Sequence, residues 1–268
     1  MASKPVRTRP LAIAHRGNSS EAPENTMAAF QQALDLGVDL IELDVTRTSD
    51  GQAVVFHGPG LQKAAGVDRT IFDLTLDKAR QLDIGSWKDP RFAGERILSL
   101  REALEFARGR VNLAVDLKAF DIVPEIARCI YDADMVEQVL ICGCDVSAAR
   151  QVRECGPDLS VGLNLDAEME GLATGADPAR FRAAYVRQAT ENHLSPLNVS
   201  YRYVTADLVR LAHLRAVQVW AWTVDEPEDM RRLIAMGIDA LYTNCPKLLL
   251  QVLSEQAAPG SPSSGGQT

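Results

Sequence analysis

The sequence predicts an α/β chain folded as a TIM-type (β/α)8 barrel with an insertion above its C-terminal mouth, and three observations lead there. Short runs rich in Val, Ile and Leu alternate with segments whose apolar residues recur at helical spacing, the pattern of βα units around a parallel sheet. The 268 residues are close to the length such a barrel needs. Hydrophobic residues make up 46% of the chain, enough for one large core.

In chain order, the strand candidates are Leu11 to His15, Leu40 to Thr46, Ala53 to His57, Val111 to Leu117, Gln138 to Ile141, Ser160 to Leu165, Leu197 to Ser200, Gln218 to Val224 and Ala240 to Thr243. The run at Ala53 is surplus to an eight-strand barrel. It follows Asp50-Gly51, a two-residue hairpin signal, and a hairpin makes antiparallel neighbours. Helical spacing marks Thr26 to Leu36, Leu100 to Arg108, Val123 to Tyr131, Val146 to Glu154, Pro178 to Asn192, Ala206 to Leu214 and Pro227 to Met236. Asn25 or Thr26 is placed to cap the first helix, while Gly37 and Gly237 stand where helices end.

This periodicity divides the chain into an N-terminal extension over residues 1–10, one barrel domain over 11–256 and a disordered tail over 257–268. The tail is too rich in Gly, Ser and Pro to pack. Residues 58–98 hold no strong strand but many glycines, and read as the insertion.

A net charge of -8 argues against a surface that neutralises many nucleic-acid phosphates, though a pocket for one phosphate is compatible with it. No apolar window is long enough to cross a membrane, and the first ten residues lack the apolar core of a secretion signal. Five cysteines, an odd number in a chain this size, read as reduced thiols of a cytoplasmic protein. Cys142 and Cys144 have no companion pair at zinc spacing and read as core or strand-end thiols. Oligomeric state leaves no mark in the sequence.

The chemistry concentrates in three strands. His15 and Arg16 end the first, where barrel enzymes carry functional groups. Glu42 and Asp44 are two residues apart on the second, so both side chains face one way while Ile41, Leu43 and Val45 face the helices. Two carboxylates side by side in an apolar strand require a cation, and a hard divalent ion with oxygen ligands suits them. If Asp50 and Gly51 are the whole hairpin loop, Ser49 pairs with Gln52 and Asp44 with His57, which adds an imidazole to the cluster. Asp116 and Lys118 share a face near the end of another strand. Three carboxylates, two imidazoles and two cations suit phosphoryl chemistry, in which charge on the phosphoryl oxygens is neutralised while an incoming and a leaving oxygen exchange protons. His193 and His213 read as structural.

The sequence resembles the glycerophosphodiester phosphodiesterase family, related to phosphatidylinositol-phospholipase-C-like phosphodiesterases, from about residue 11 to about residue 250. AHRG, APENT followed by AF, IELDV, the TSDG turn, VVFH, LDIGSW, FAGERILSL, VDLK, WTVDEPEDM and GIDALYTNCP occur in the family's order. The resemblance implies His15 and His57 as the acid/base pair and Glu42, Asp44 and Asp116 as ligands of Mg2+ or Ca2+. It implies Arg16 and Lys118 as phosphate contacts and Trp222 as the aromatic wall near the alcohol portion. The implied reaction is hydrolysis of a small-molecule glycerophosphodiester to sn-glycerol 3-phosphate and an alcohol, with water or the neighbouring glycerol hydroxyl as nucleophile. A lysophospholipase D-like or cyclising activity on lipids, with an acyl groove at residues 58–98 and 164–193, is the enzymatic rival. A phosphodiester-binding protein without catalysis is the other.

The chain departs from the family pattern three times. Asp116 stands where Glu is usual, Gly58 follows the second histidine in place of Asp, and Asn244 replaces Asp in the closing motif.

Overall fold

The computed structural model describes residues 9–164, 171, 175 and 177–257, so the tail beyond Ala257, most of the N-terminal extension and part of the segment 164–193 lie outside the described residues. Strands β1 (Leu11–His15), β2 (Leu40–Arg47), β5 (Asn112–Leu117) and β6 (Val139–Cys142) pair in parallel on one side of β1. On its other side come β11 (Ala240–Thr243), β10 (Val219–Trp222) and β9 (Leu197–Ser200), also parallel. The predicted strand at Ser160 is broken at Gly162 into β7 (Ser160–Val161), which pairs with β6, and β8 (Leu163–Asn164), which pairs with β9. The two ends of the sheet thus meet at Gly162, and the eight strand positions form a nearly closed barrel.

Alternation along the strands sorts the side chains into two layers. Ile41, Leu43 and Val45 are fully buried in the large outer cluster between barrel and helices. Each such side chain contributes about 1.5–3 kcal/mol of burial free energy. Ile13, Leu40, Ala114, Leu140, Trp220 and Tyr242 fill the barrel interior. Leu40 belongs to that inner layer, so Glu42 and Asp44, two and four residues further on, follow it inward toward the C-terminal mouth.

The helices that cover the sheet are α1 (Met27–Leu36), α4 (Leu100–Ala107), α5 (Val123–Asp132), α6 (Val146–Cys155), α7 (Pro178–Glu191), α8 (Ala206–His213) and α9 (Pro227–Ala235). Thr26 caps α1 by accepting from Ala29 N, and Gly37 and Gly237 adopt the left-handed conformation that ends a helix. A further helix, α10 (Pro246–Ala257), has no counterpart in the sequence reading. No helix among the described residues is long and apolar enough to cross a membrane.

The hairpin differs from expectation. Strand β3 (Ala53–Val55) pairs antiparallel with β2 in the register Val45↔Val55 and Arg47↔Ala53, one residue from the predicted one. Thr48 N donates to Gln52 O, leaving Ser49, Asp50 and Gly51 as a three-residue loop with Gly51 at φ +74°. A left-handed third residue is the usual device of such loops. Contacts with the next segment hold it: Ser49 N donates to Leu74 O, and Asp50 Oδ1 accepts from Leu76 N at 3.1 Å. Asp44 therefore lies opposite Phe56, whose amide donates to its carbonyl, and not opposite His57.

Residues 58–98 form their own small core. Phe56, Leu61, Ile71, Leu74, Ile84 and Ile97 pack together around the short helices α2 (Gln62–Ala65) and α3 (Leu76–Ala79). The segment ends in β4 (Leu98–Ser99), which pairs with β3 and runs directly into α4 through a Ser99/Glu102 capping box.

Candidate active site

Strand register builds the acidic centre. Asp44 is the direct neighbour of Asp116 across β2 and β5, and Glu42 is the neighbour of His15 across β2 and β1. One carboxylate oxygen from each of Glu42, Asp44 and Asp116 lies within 4.8 Å of the others. Glu42 and Asp44 are 1% exposed, too buried for their charges to be balanced by water.

Two cations answer them. Arg16 Nε lies 2.9 Å from Asp44 Oδ2, and Lys118 Nζ lies 3.3 Å from Asp44 Oδ1 and 3.1 Å from Asp116 Oδ2. Asn25, at φ +60°, is not the helix cap. Its Nδ2 donates to Asp44 Oδ2 at 2.9 Å while its Oδ1 accepts from Asp44 N at 3.3 Å. Burial opposes ionisation of Asp44, but Arg16, Lys118 and Asn25 outweigh it and lower its pKa. Glu42 goes the other way: burial, then Asp44 and Asp116, push its carboxyl well above the usual range. Among the described residues, only the Arg16 amide, 2.8 Å from Oε2, offers it a close hydrogen bond. For Lys118, burial disfavours the ammonium, yet Asp116 and Asp44 prevail and raise its pKa.

The donor set fits a hard divalent cation: three oxygen ligands converge, with one carboxyl destabilised as an anion until further positive charge arrives. No zinc-like thiolate pair joins it. Cys142, beside Asp116 in the next strand, is fully buried as a thiol whose pKa burial raises. All five cysteines are free.

His15 is held by a chain that the sequence did not announce. Asn244 Nδ2 donates to Asp225 Oδ2 at 2.7 Å, which turns Asn244 Oδ1 toward His15 Nδ1 at 2.8 Å. Because an amide oxygen only accepts, Nδ1 carries the proton and the Nε2 lone pair is left toward the cavity, 3.9 Å from Glu42 Oε2. Burial, then Arg16, lowers the His15 pKa and favours this neutral ring.

His57 reaches the same cavity by a different route from the one predicted. The chain leaves the β3 ladder after Val55, and Phe56 is drawn into the core of residues 58–98. Gly58 at φ +74° then turns the backbone, so that His57 lines the cavity despite the shifted register. Burial lowers its pKa, and Asp44 works in the opposite direction.

The cavity has a volume of about 460 Å³, and His15, Arg16, Glu42, His57, Asp116, Lys118 and Trp222 all line it. Asn164, Asn198 and Tyr242, none singled out from the sequence, contribute polar groups to its wall; Tyr242 donates to Asn198 Oδ1 at 3.2 Å and Asn198 Nδ2 to Asn164 Oδ1 at 3.1 Å. Trp222 Nε1 is buried with no hydrogen-bond partner among the described residues. His213 is elsewhere, paired with Asp239 at 2.8 Å, and neither it nor His193 lines the cavity.

Residues 15–248 match the model of the glycerophosphoryl diester phosphodiesterase family. A glycerophosphodiester phosphodiesterase of Caldanaerobacter subterraneus subsp. tengcongensis is 32% identical over 249 residues, 91% of this chain and 97% of that one. Among solved structures, a Silicibacter pomeroyi protein provisionally assigned as a glycerophosphoryl diester phosphodiesterase superposes with a TM-score of 0.82 at 25% identity, covering 95% of this chain and 97% of the other. An Oleispira antarctica phosphodiesterase, solved with the product sn-glycerol-3-phosphate, gives 0.78 at 24% identity over 92% and 97% of the two chains.

Proposed function

The chain belongs to the glycerophosphoryl diester phosphodiesterase family and is a phosphoric diester hydrolase, and on that premise we propose that it hydrolyses glycerophosphodiesters to sn-glycerol 3-phosphate and an alcohol by two-histidine acid/base catalysis. The observation that carries this reading is one cavity lined by two cations, two imidazoles and Glu42 and Asp116, two members of a converging carboxylate triad whose third, Asp44, lies buried behind them.

Glu42, Asp44 and Asp116 would hold Mg2+ or Ca2+, which when bound supplies positive charge for the phosphoryl oxygens. Arg16 and Lys118, now turned to the carboxylates, bind the phosphodiester's non-bridging oxygens once the acids are otherwise neutralised. His15, with its proton fixed on Nδ1, takes a proton from the nucleophile at Nε2. His57 delivers a proton to the departing alcohol oxygen; the anionic substrate in the same cavity favours its imidazolium. Water is added across one P–O bond, and the histidines return to their starting states in the course of turnover.

The experiment is hydrolysis of glycerophosphocholine with and without EDTA, following choline and glycerol 3-phosphate. Release of both, abolished by EDTA and restored by Mg2+ or Ca2+, is expected. Full turnover by exhaustively chelated protein would overturn the metal assignment, and no turnover with either ion would leave phosphodiester binding as the better account.

A further inference from the structure

Beside the main cavity is a second one, of about 200 Å³, and the two share Arg16 and His57. Its walls are unlike the first. Phe56 and Ile84, both buried, give an apolar floor, and Trp87, 38% exposed, presents its ring at the edge. The carboxylate of Glu24 forms one side, anchored by Arg16 Nη1 at 3.2 Å.

The ring is fixed before any ligand arrives. Trp87 Nε1 donates to Ile84 O at 2.9 Å. The loop around it is tied by Asp83, whose carboxylate accepts from Gly85 N and Ser86 N through Oδ1 and from Gly94 N and Ser86 Oγ through Oδ2. Those bonds hold the Asp83 carboxyl far below its usual range.

A cation already occupies this cleft. Lys63 Nζ lies 4.9 Å from the Trp87 ring centroid and 3.7 Å from Glu24 Oε1. An aromatic face and a carboxylate around one ammonium are what recognition of an alkylammonium group requires. The Lys63 side chain is 68% exposed and rises from the four-residue α2, so it can swing into solvent and give up the place. A second ammonium, that of Lys88, lies 5.8 Å from the same ring.

We propose that the Trp87–Glu24 cleft is the subsite for the leaving alcohol, that it selects alcohols bearing an ammonium group such as choline, and that Lys63 is its internal competitor. The proposal rests on the function above, in which His57 protonates the departing alcohol; that alcohol then lies on the His57 side, where this cleft opens. Trp222, which the resemblance sets near the alcohol portion, lines the main cavity with Asn164, Asn198 and Tyr242 and does not line the cleft, so this assignment moves it to the glycerol phosphate half.

The test compares kcat/KM for glycerophosphocholine with that for the 3,3-dimethylbutyl ester of glycerol phosphate, which has choline's shape without its charge. The holoenzyme should prefer the charged ester about tenfold, the scale of a partly desolvated cation–π contact. Trp87→Leu should bring that ratio near one, and Glu24→Gln should lower it. Lys63→Ala should raise it, because the competing ammonium is gone, and this exposed substitution remains informative if Trp87→Leu does not fold. A ratio near one in the unaltered enzyme, or a lower ratio in Lys63→Ala, would overturn the proposal, the latter pointing to Lys63 as a contact for an anionic headgroup. If neither ester is turned over, the hydrolase reading falls separately. The cleft is then judged by choline's quenching of tryptophan fluorescence: quenching lost in Trp87→Leu upholds it, and none in the unaltered protein overturns it.

Discussion

Gly143 lies against the carboxylate of Asp116 where no other residue fits, and replacing it isolates the contribution of that acid. Its φ is +74°, and a Cβ built on it would stand 2.0 Å from Asp116 Oδ1 and 3.0 and 3.1 Å from the backbone O and N of Leu117. The β5 backbone is locked in the sheet, so in Gly143→Ala the Asp116 carboxylate has to rotate away. Two effects follow. The left-handed backbone costs about 1–2 kcal/mol for a residue with a Cβ, which in a domain of this size lowers Tm by roughly 2–8 °C. Displacing one of three metal carboxylates should weaken Mg2+ or Ca2+ binding about 10–100-fold, the range seen when even the supports of metal ligands are removed. Calorimetric metal titration of the wild type, Gly143→Ala, Asp116→Ala and the double variant separates the two. In the Asp116→Ala background the clash with the carboxylate is gone while the close approaches to the Leu117 backbone remain, so Gly143→Ala should lower Tm again but weaken metal binding no further. Wild-type metal affinity in Gly143→Ala, beside a loss in Asp116→Ala, would refute the argument.

The raised Glu42 pKa makes its ionised form a burden on the metal-free fold, so its destabilising effect grows as pH rises from the usual glutamate range through the raised folded value. Glu42→Gln should therefore have a higher Tm than the metal-free wild type at pH ~8, above an ordinary glutamate pKa by several units, yet gain less Tm from added metal; a lower metal-free Tm would contradict this. Asn244→Asp places a carboxylate 2.8 Å from His15 Nδ1, which should raise the His15 pKa and move the acid limb of the kcat/KM profile to higher pH; an unmoved limb would remove His15 as the base. His15→Ala and His57→Ala should each lower kcat by roughly 100-fold or more, and together by much less than the product of the two. With a nitrophenyl phosphodiester, whose leaving group needs no proton, His57→Ala should cost far less than His15→Ala; the reverse order would exchange their roles.

The sequence alone determined most of what depends on local period. Alternation in Leu40–Asp44 assigns Glu42 and Asp44 to one face and Ile41 and Leu43 to the other, because side chains of a strand switch sides at every residue. Helical spacing placed the ends of the seven predicted helices within a residue, and the cap at Thr26 and the glycines Gly37 and Gly237 mark three of those ends, since an unsatisfied terminus needs particular residues. Besides the short helices Gln62–Ala65 and Leu76–Ala79, two elements escaped the reading. Leu98–Ser99 has too few residues to show a period, and Pro246–Ala257 was passed over beside the Gly- and Ser-rich tail.

Tertiary structure decided what depends on contacts between distant segments. The hairpin signal Asp50-Gly51 favours a two-residue loop in isolation, but Leu74 and Leu76 bond to Ser49 and Asp50 and hold a three-residue loop, shifting the register by one. His57 reaches the cavity all the same, because Phe56 is anchored in the core of residues 58–98 and Gly58 turns the chain. Asn25 carries a good capping side chain, yet Asp44, 19 residues away, competes for it and wins both ends of the amide. Asn244 and Asp225 orient His15 from 229 and 210 residues along the chain. Local pattern assigns a side chain to a face; only the closed sheet brings faces from distant strands into one cavity, because no term in the local sequence sets the distance between them.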